Sequence, residues 1–299
     1  MTAPALDVAV LPATEWRARA EAHAGRADAL TAAHRERRSR RLTHPIEDFL
    51  YEYYSVRPAR LRRWHPGVGV ALAGTADELA ERAAWRWTAT ATAGGVVVLD
   101  VAAYLADRGE GVRWLHELLR RTAGRPAHLG CLGLHEWAMV YRQEAHRHPL
   151  PLRLGQAGTD AVVESHPVRC THYDAFRFFT APARPLNRLQ PARATQLDLE
   201  QPGCLHANMD LLKTALKLGP ACPGGLLLDC FELARDIRVL DMRASPYDVT
   251  GLGHSPVAIE TAAGRAEYVA QQRAFAGRAE PLRDRLLTVT TALLEGAAA

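Results

Sequence analysis

Residues 203–220, GCLHANMDLLKTALKLGP, constrain this chain more than any other stretch. Read as a helix from His206 at about 100° per residue, His206, Asp210, Lys213 and Lys217 fall at roughly 0°, 40°, 340° and 20°. Most of the remaining surface is apolar: Met209, Leu211, Leu212, Ala215, Leu216 and Leu218. A surface helix shows the reverse, a wide polar face with an apolar stripe. The pattern therefore predicts a mostly buried helix with one face lining a cleft. Lys213 and Lys217 are also the only lysines among 37 basic residues; arginine fills every other basic position. Lysine is a compact ammonium whose pKa shifts readily on burial, which makes both lysines candidate site residues. The competing reading is two ordinary ion-pair partners.

After the break GPACPGG, residues 226–243 read as a second helix. The short connection makes the two helices antiparallel neighbours. Asp229, Glu232, Asp236 and Arg243 share an arc of about 60° on the same count. The expected arrangement is a charge ladder, with Lys217 near Asp229, Lys213 near Glu232 or Asp236, and His206 toward Asp241 and Arg243. A buried ladder of this kind is costly to desolvate and rarely a net stabiliser, which favours a functional reason for it.

Taken in order, residues 13–41 read as a long polar helix capped by Thr14, lying on the surface or forming an arm (1–43) beside a single mainly helical domain (44–299). Residues 44–67, HPIEDFLYEYYSVRPARLRRWHPG, follow, with Pro45, Glu47 and Asp48 suited to a first helical turn. Residues 66–69, PGVG, are similar to the turn of helix–hairpin–helix DNA-binding proteins. However, Val68, Val70 and Leu72 alternate like a strand. Residues 75–84 make a short helix. Residues 85–92 and 96–100 make a β-hairpin around Gly94-Gly95. Residues 101–124 form an amphipathic helix broken near Gly109–Gly111, residues 181–202 a long Pro- and Arg-rich loop, and residues 262–294 a bracing helix. The fold class is mainly α (α+β), with a small β-hairpin or sheet element near 67–100.

The chain has 299 residues, 48% of them apolar and 23% charged, which suits a globular protein with ample core. No run of 18 apolar residues marks a membrane span. The N-terminus has no basic n-region or h-region of a signal peptide, so the expected location is cytoplasmic. Five cysteines, with no C-x-x-C spacing, indicate neither a disulfide framework nor a zinc knuckle. Net charge is +4, yet residues 35–63 alone carry nine arginines against Glu36, Glu47, Asp48 and Glu52. That excess suits phosphates or another anionic partner; a solvated helix face is the alternative.

Histidines, carboxylates, tyrosines and lysines concentrate in five blocks, 44–54, 135–142, 166–177, 206–217 and 229–248, and the only asparagines are Asn187 and Asn208. This predicts one site assembled from several helices and loops. His135-Glu136 is not H-E-x-x-H, because position 139 is Met. His172 and Asp174 with His206 have the residue types of a facial iron triad. The blocks HPIEDFLYEYYSVRPARLRRWHPG, GLHEWAMVYR, HYDAFRFF, CLHANMDLLKTALKLGP and DCFELARDIRVLDMRASPYD resemble a bacterial family that carries the name 3-methyladenine DNA glycosylase, over nearly the whole chain.

The resemblance implies a DNA-repair enzyme that removes alkylated purines by cutting the N-glycosidic bond, with DNA as partner and no cofactor. It assigns no catalytic residues, so roles come from chemistry. Asp210 is the candidate carboxylate and Asp236 its substitute. Lys213 supports charge or attacks the sugar as an amine. His206, His135 and Glu136 complete the catalytic set. Tyr173 or Trp137 stacks on the base, and Arg57, Arg60, Arg62, Arg63, Arg184 and Arg188 bind the backbone. The alternative is a metal-dependent oxygenase or hydrolase using Fe, Mn or Zn. For it His172, Asp174, His206 and Asp210 are the named ligands, and His44, Glu47, His135 and Glu136 offer further nitrogen and oxygen donors. A third reading is a non-enzymatic nucleic-acid or partner-binding module with salt-sensitive binding.

Overall fold

The computed structural model describes residues 8–90, 95–146 and 148–296. In chain order its main elements are β1 (Ala9–Leu11), α1 (Ala13–Ser39), β2 (Val70–Ala73), α2 (Ala76–Ala83), β3 (Thr88–Thr90), β4 (Val96–Leu99), α3 (Val101–Ala123), α4 (Leu134–Ala138), α5 (Tyr173–Phe176), α6 (Leu205–Met209), α7 (Leu211–Leu218), α8 (Gly224–Arg243) and α9 (Ala262–Gly296). A further helix over Gly155–Ser165 and several shorter helical turns join them. The fold is mainly α with one small mixed sheet, as the sequence pattern predicts. Among the described residues no helix is long and apolar enough to cross a membrane.

The sheet order is β1-β2-β4-β3. The hairpin pairs Thr88 with Leu99 and Thr90 with Val97; its expected Gly94 turn position lies outside the described residues. Residues 70–73, which follow PGVG, are the strand β2, paired with β4. An unforeseen strand, β1, runs parallel to β2, with Ala9 opposite Val70; three residues are too few to show alternation in sequence. Between β2 and β3, α2 starts on a reciprocal cap, in which the Glu78 amide donates to Thr75 Oγ1 and the Thr75 amide donates to the Glu78 carboxylate.

α8 is the central helix. Leu226, Leu228, Cys230, Phe231, Leu233, Ala234, Ile237 and Leu240 are almost wholly buried, and α6, α7, α9 and α1 pack around it. α1 lies against this body through Trp16, His23, Ala27 and Thr31, and His23 Nε2 contacts the Leu61 carbonyl at 2.8 Å. α3 runs unbroken through Gly109 and Gly111, which corrects the expected break. Asp100 caps its start at the Ala103 amide. Burial of Tyr104, Val112, Leu115, Leu118 and Leu119 beside α9 outweighs the glycine penalty of about 1 kcal/mol each.

Both asparagines are clamps between segments. Asn187 Oδ1 accepts from the Cys170 amide at 2.7 Å and its Nδ2 donates to the Cys170 carbonyl at 3.0 Å, which ties down the expected long loop. Asn208 Oδ1 accepts from Arg283, and its Nδ2 donates to the Pro202 carbonyl. All five cysteines are free thiols.

Candidate functional site

The buried charges converge where α4, α8 and the junction of α6 and α7 meet. The helix predicted from His206 is interrupted at Asp210, which ends α6 and begins α7. His206, Asp210 and Lys213 still face one region, because the interruption is a single residue in the right-handed helical region (φ −72°, ψ −6°).

One half of the site is built on His135, Glu136, His206 and Asp241. His135 Nε2 lies 2.8 Å from Asp241 Oδ1. Arg238, buried and three residues before Asp241, donates from Nη1 to Asp241 Oδ2 at 2.7 Å and to Glu136 Oε1 at 3.2 Å. Its guanidinium lies 3.9 Å from the Phe49 ring centroid. His206 meets His135 edge-on at 4.5 Å and stacks on His172 at 5.4 Å. One nitrogen or oxygen atom from each of His135, Glu136, His206 and Asp241 lies within 4.8 Å of all the others.

The other half is built on Asp210. Tyr54 donates its hydroxyl to Asp210 Oδ1 at 2.8 Å. Lys213 Nζ donates to Asp174 Oδ2 at 2.8 Å and to Asp210 Oδ2 at 3.2 Å. His172 Nε2 sits 3.4 Å from Asp210 Oδ2 and 3.8 Å from Glu200 Oε2. Those contacts are long, and both His172 ring nitrogens are buried with no hydrogen-bond partner among the described residues. Buried polar atoms are nearly always partnered, so this imidazole stands out.

Electrostatics divide the groups. Burial opposes ionisation of Asp241 and Asp210, but His135 outweighs it at Asp241, and Lys213, His172 and Tyr54 outweigh it at Asp210; both stay well below the usual carboxylate range. Burial and the neighbouring Asp241 push Glu136 up, against Arg238 and His135, which pull it down. Burial also raises Glu200, partly offset by His172. Burial and the nearby His135 hold His206 well below its ordinary value, so its imidazole is neutral and able to act as a ligand. Burial works against a charged His135, yet Asp241 lifts it well above the usual range, so His135 must give up its proton before it can serve as a ligand.

A cavity of about 70 Å³ lies over these groups. Glu136, His172, His206 and Lys213 form its polar wall, and Phe49, Tyr53, Tyr54 and Phe178 its aromatic wall. Tyr53 and Phe178 are 41% and 40% exposed and stand at the mouth.

Several expected positions fall elsewhere. Of the expected charge ladder, His206 does lie beside Asp241, but the rungs from Lys217 to Asp229 and from Lys213 to Glu232 or Asp236 do not form. Asp229 pairs with Arg26 and Arg285, Glu232 with Arg26, and Asp236 with Arg278 at 2.7 Å, all on the partly exposed side of α8. The face turned inward is instead that of Arg238 and Asp241. Trp137 is fully buried and donates Nε1 to the Ala244 carbonyl, so it offers no stacking surface. Tyr173 is half-buried at the start of α5 and does not line the cavity. Arg57 is exposed, Arg62 pairs with Asp28, and Arg184 donates to the Arg177 carbonyl. Arg188 is exposed. Arg60, Arg63 and Lys217 line a different cavity. His44 Nδ1 accepts from the Ile46 and Glu47 amides, and Glu47 pairs with Arg37, so neither belongs to the site.

Tyr54, Glu200 and Arg238 were not identifiable as site residues from sequence. The one available signal was the i, i+3 spacing of Arg238 and Asp241 on a helix otherwise apolar on that face. Comparison with protein-family models, curated proteins and solved structures returns no match, so the site is read from its own geometry.

Proposed function

We propose that this protein is a metal-dependent enzyme, an oxygenase or hydrolase, whose Fe, Mn or Zn ion is held by His135, Glu136, His206 and Asp241. The observation that carries the reading is the convergence of four donor atoms within 4.8 Å of one another. Donors about 2.0–2.2 Å from a common ion lie at most about 4.4 Å apart, so the four atoms need to draw in by only a few tenths of an ångström to share one. Mixed imidazole and carboxylate donors suit these three metals. The partnerless His172 nitrogens between Asp210 and Glu200 extend the polar centre beyond the first four residues.

When bound, the ion supplies Lewis acidity and, for Fe or Mn, redox capacity. The chain supplies the rest. Arg238 balances the charge of Glu136 and Asp241 and fixes their orientation. Asp210, kept ionised by Lys213, accepts the Tyr54 hydroxyl in a hydrogen bond and places a negative charge behind the cavity wall. His172, beside two carboxylates and aimed at the cavity, is placed to carry a proton. Phe49 and Phe178 limit water access.

A second reading, the metal-independent glycosylase implied by the resemblance, draws support from the ionised Asp210 and the aromatic mouth at Tyr53 and Phe178. It ranks second on volume. A cavity of about 150 Å³ holds one benzene ring, so a flipped purine requires the 70 Å³ cavity to open. The two readings part in one assay, release of free base from alkylated duplex DNA with and without EDTA, alongside thermal shifts with Fe²⁺, Mn²⁺ and Zn²⁺. The metal reading expects stabilisation by at least one ion, lost in His206→Ala, and no EDTA-resistant base release. EDTA-resistant release abolished by Asp210→Asn would replace it with the glycosylase.

A further inference from the structure

On the sheet side of the molecule, away from the carboxylates, a separate cavity of about 320 Å³ lies between β2, β4, α2, α3 and the end of α7. Its floor is apolar, formed by Val70, Leu72, Val97 and Leu99. Its walls carry Arg60, Arg63, Arg82, Arg86, Arg108 and Lys217, and no Asp or Glu lines it among the described residues. Among the described residues only Arg86 of these has a carboxylate partner, Asp107 at 2.6 Å. Arg60 and Arg108 each donate to a carbonyl at the end of α7, those of Leu216 and Lys217. Arg82 donates to the Trp64 carbonyl and lies 4.1 Å from the Trp85 ring centroid. The Arg63 and Lys217 side chains make no hydrogen bond or ion pair among the described residues; their contacts are with the rings of Trp85 and Trp114.

Five cations around one concavity without a carboxylate contrast with other parts of this surface, where many arginines pair with acids. The cavity wall also holds Trp87 at φ +60°, in the left-handed region that a bulky side chain rarely occupies. Tyr104 packs on its ring, and Asp107 accepts from its Nε1. Backbone strain of this kind persists where surrounding structure imposes it, and it clusters at ligand sites.

We infer that this cavity is a binding site for a small organic phosphate of nucleotide size. The phosphate would sit among Arg63, Arg108 and Lys217, and the apolar or ring portion would lie on the floor of β2 and β4. Guanidinium groups suit phosphate oxygens through paired N–H donors, and lysine serves as a point charge. The volume falls within the range of small-ligand pockets. A concave, apolar-floored site favours a free small molecule over the backbone of a duplex, whose phosphates are presented along an open surface. The site is independent of the metal reading, and its occupancy needs no metal.

The test is titration of the full-length protein with AMP, pyrophosphate, adenosine and a 20-base-pair duplex, followed by calorimetry and tryptophan fluorescence in EDTA. AMP is expected to bind saturably and adenosine to fail. Lys217→Ala and Arg63→Ala are each expected to weaken AMP about tenfold, and Arg38→Ala, at an exposed basic position elsewhere, to leave it unchanged. Both cavity variants are checked for a wild-type thermal transition, so a folding defect is separated from lost affinity. Three results would overturn the inference: no saturable binding of AMP or pyrophosphate, AMP binding unchanged in both cavity variants, or binding by the duplex alone.

Discussion

The same helix serves two opposite electrostatic regions. Lys213 and Lys217 are one turn apart on α7, about 6 Å along its axis. Burial disfavours the charge on both. At Lys213, Asp210 and Asp174 outweigh burial and raise the pKa. At Lys217, burial and the repulsion of Arg193 lower it. The first lysine belongs to a site whose charges are largely compensated within the fold. The second belongs to a cavity whose cations await a counter-charge. A stripe on a helical wheel groups residues by angle only; position along the axis decides which cavity each one enters.

The sharpest way to break this comparison is to remove charge from each region in turn. Asp241→Ala leaves Arg238 and His135 buried beside an empty position, and breaking a buried pair from one side costs about 3–5 kcal/mol. Urea unfolding should show a loss of that size; a loss below about 1 kcal/mol would mean the cluster does not hold the fold together as described. The paired substitutions Lys213→Met and Lys217→Met come next. Lys213→Met strands Asp174 and Asp210 and should cost about 2–3 kcal/mol, reduced from the fully buried case because its side chain is 28% exposed. Lys217→Met should change stability by less than about 1 kcal/mol, because relief of burial and repulsion opposes the loss of a cation at a helix C-terminus. Equal costs at the two positions would erase the distinction.

The remaining effect is one of pH and concerns His65 in the cationic cavity. Burial, then Arg82, Arg63, His23 and Arg60, bring its pKa down to about 4. The folded state keeps it neutral while the unfolded chain takes up a proton below about 6.5. Its stabilising contribution is therefore full above pH 6.5 and is lost as pH falls toward 4, by up to about 3 kcal/mol. His65→Gln should flatten that part of the stability–pH curve. An unchanged slope would show that His65 is not held neutral by its surroundings.

Much of the site is legible in the sequence because it rests on short-range pattern. His206, Asp210 and Lys213 share a helical face. His172 and Asp174 flank one residue, and His135 and Glu136 are adjacent, so their blocks stand out locally. The hairpin at β3 and β4 and the strand after PGVG are legible for the same reason. The choice of face on α8 was not. It carries acids on two sides, and tertiary packing turns Asp241 inward and leaves Asp229, Glu232 and Asp236 to pair with Arg26, Arg285 and Arg278. Tyr54 and Glu200 reach Asp210 and His172 from distant segments, a proximity no local periodicity encodes. The cationic cavity escaped for a related reason: Arg60 and Arg63 are adjacent in pattern to Arg57 and Arg62, yet only the first two meet Arg108 and Lys217.

The central claim is that the His135, Glu136, His206 and Asp241 cluster holds a metal ion. The most direct measurement is elemental analysis of purified protein reconstituted anaerobically with Fe²⁺, Mn²⁺ or Zn²⁺ and desalted, for the wild type and for His206→Ala. The account predicts about one ion per chain for at least one of these metals in the wild type, with most of it lost in the variant. Substoichiometric metal in the wild type under all three conditions, or equal retention by His206→Ala, would contradict it and leave the cluster as a buried charge network.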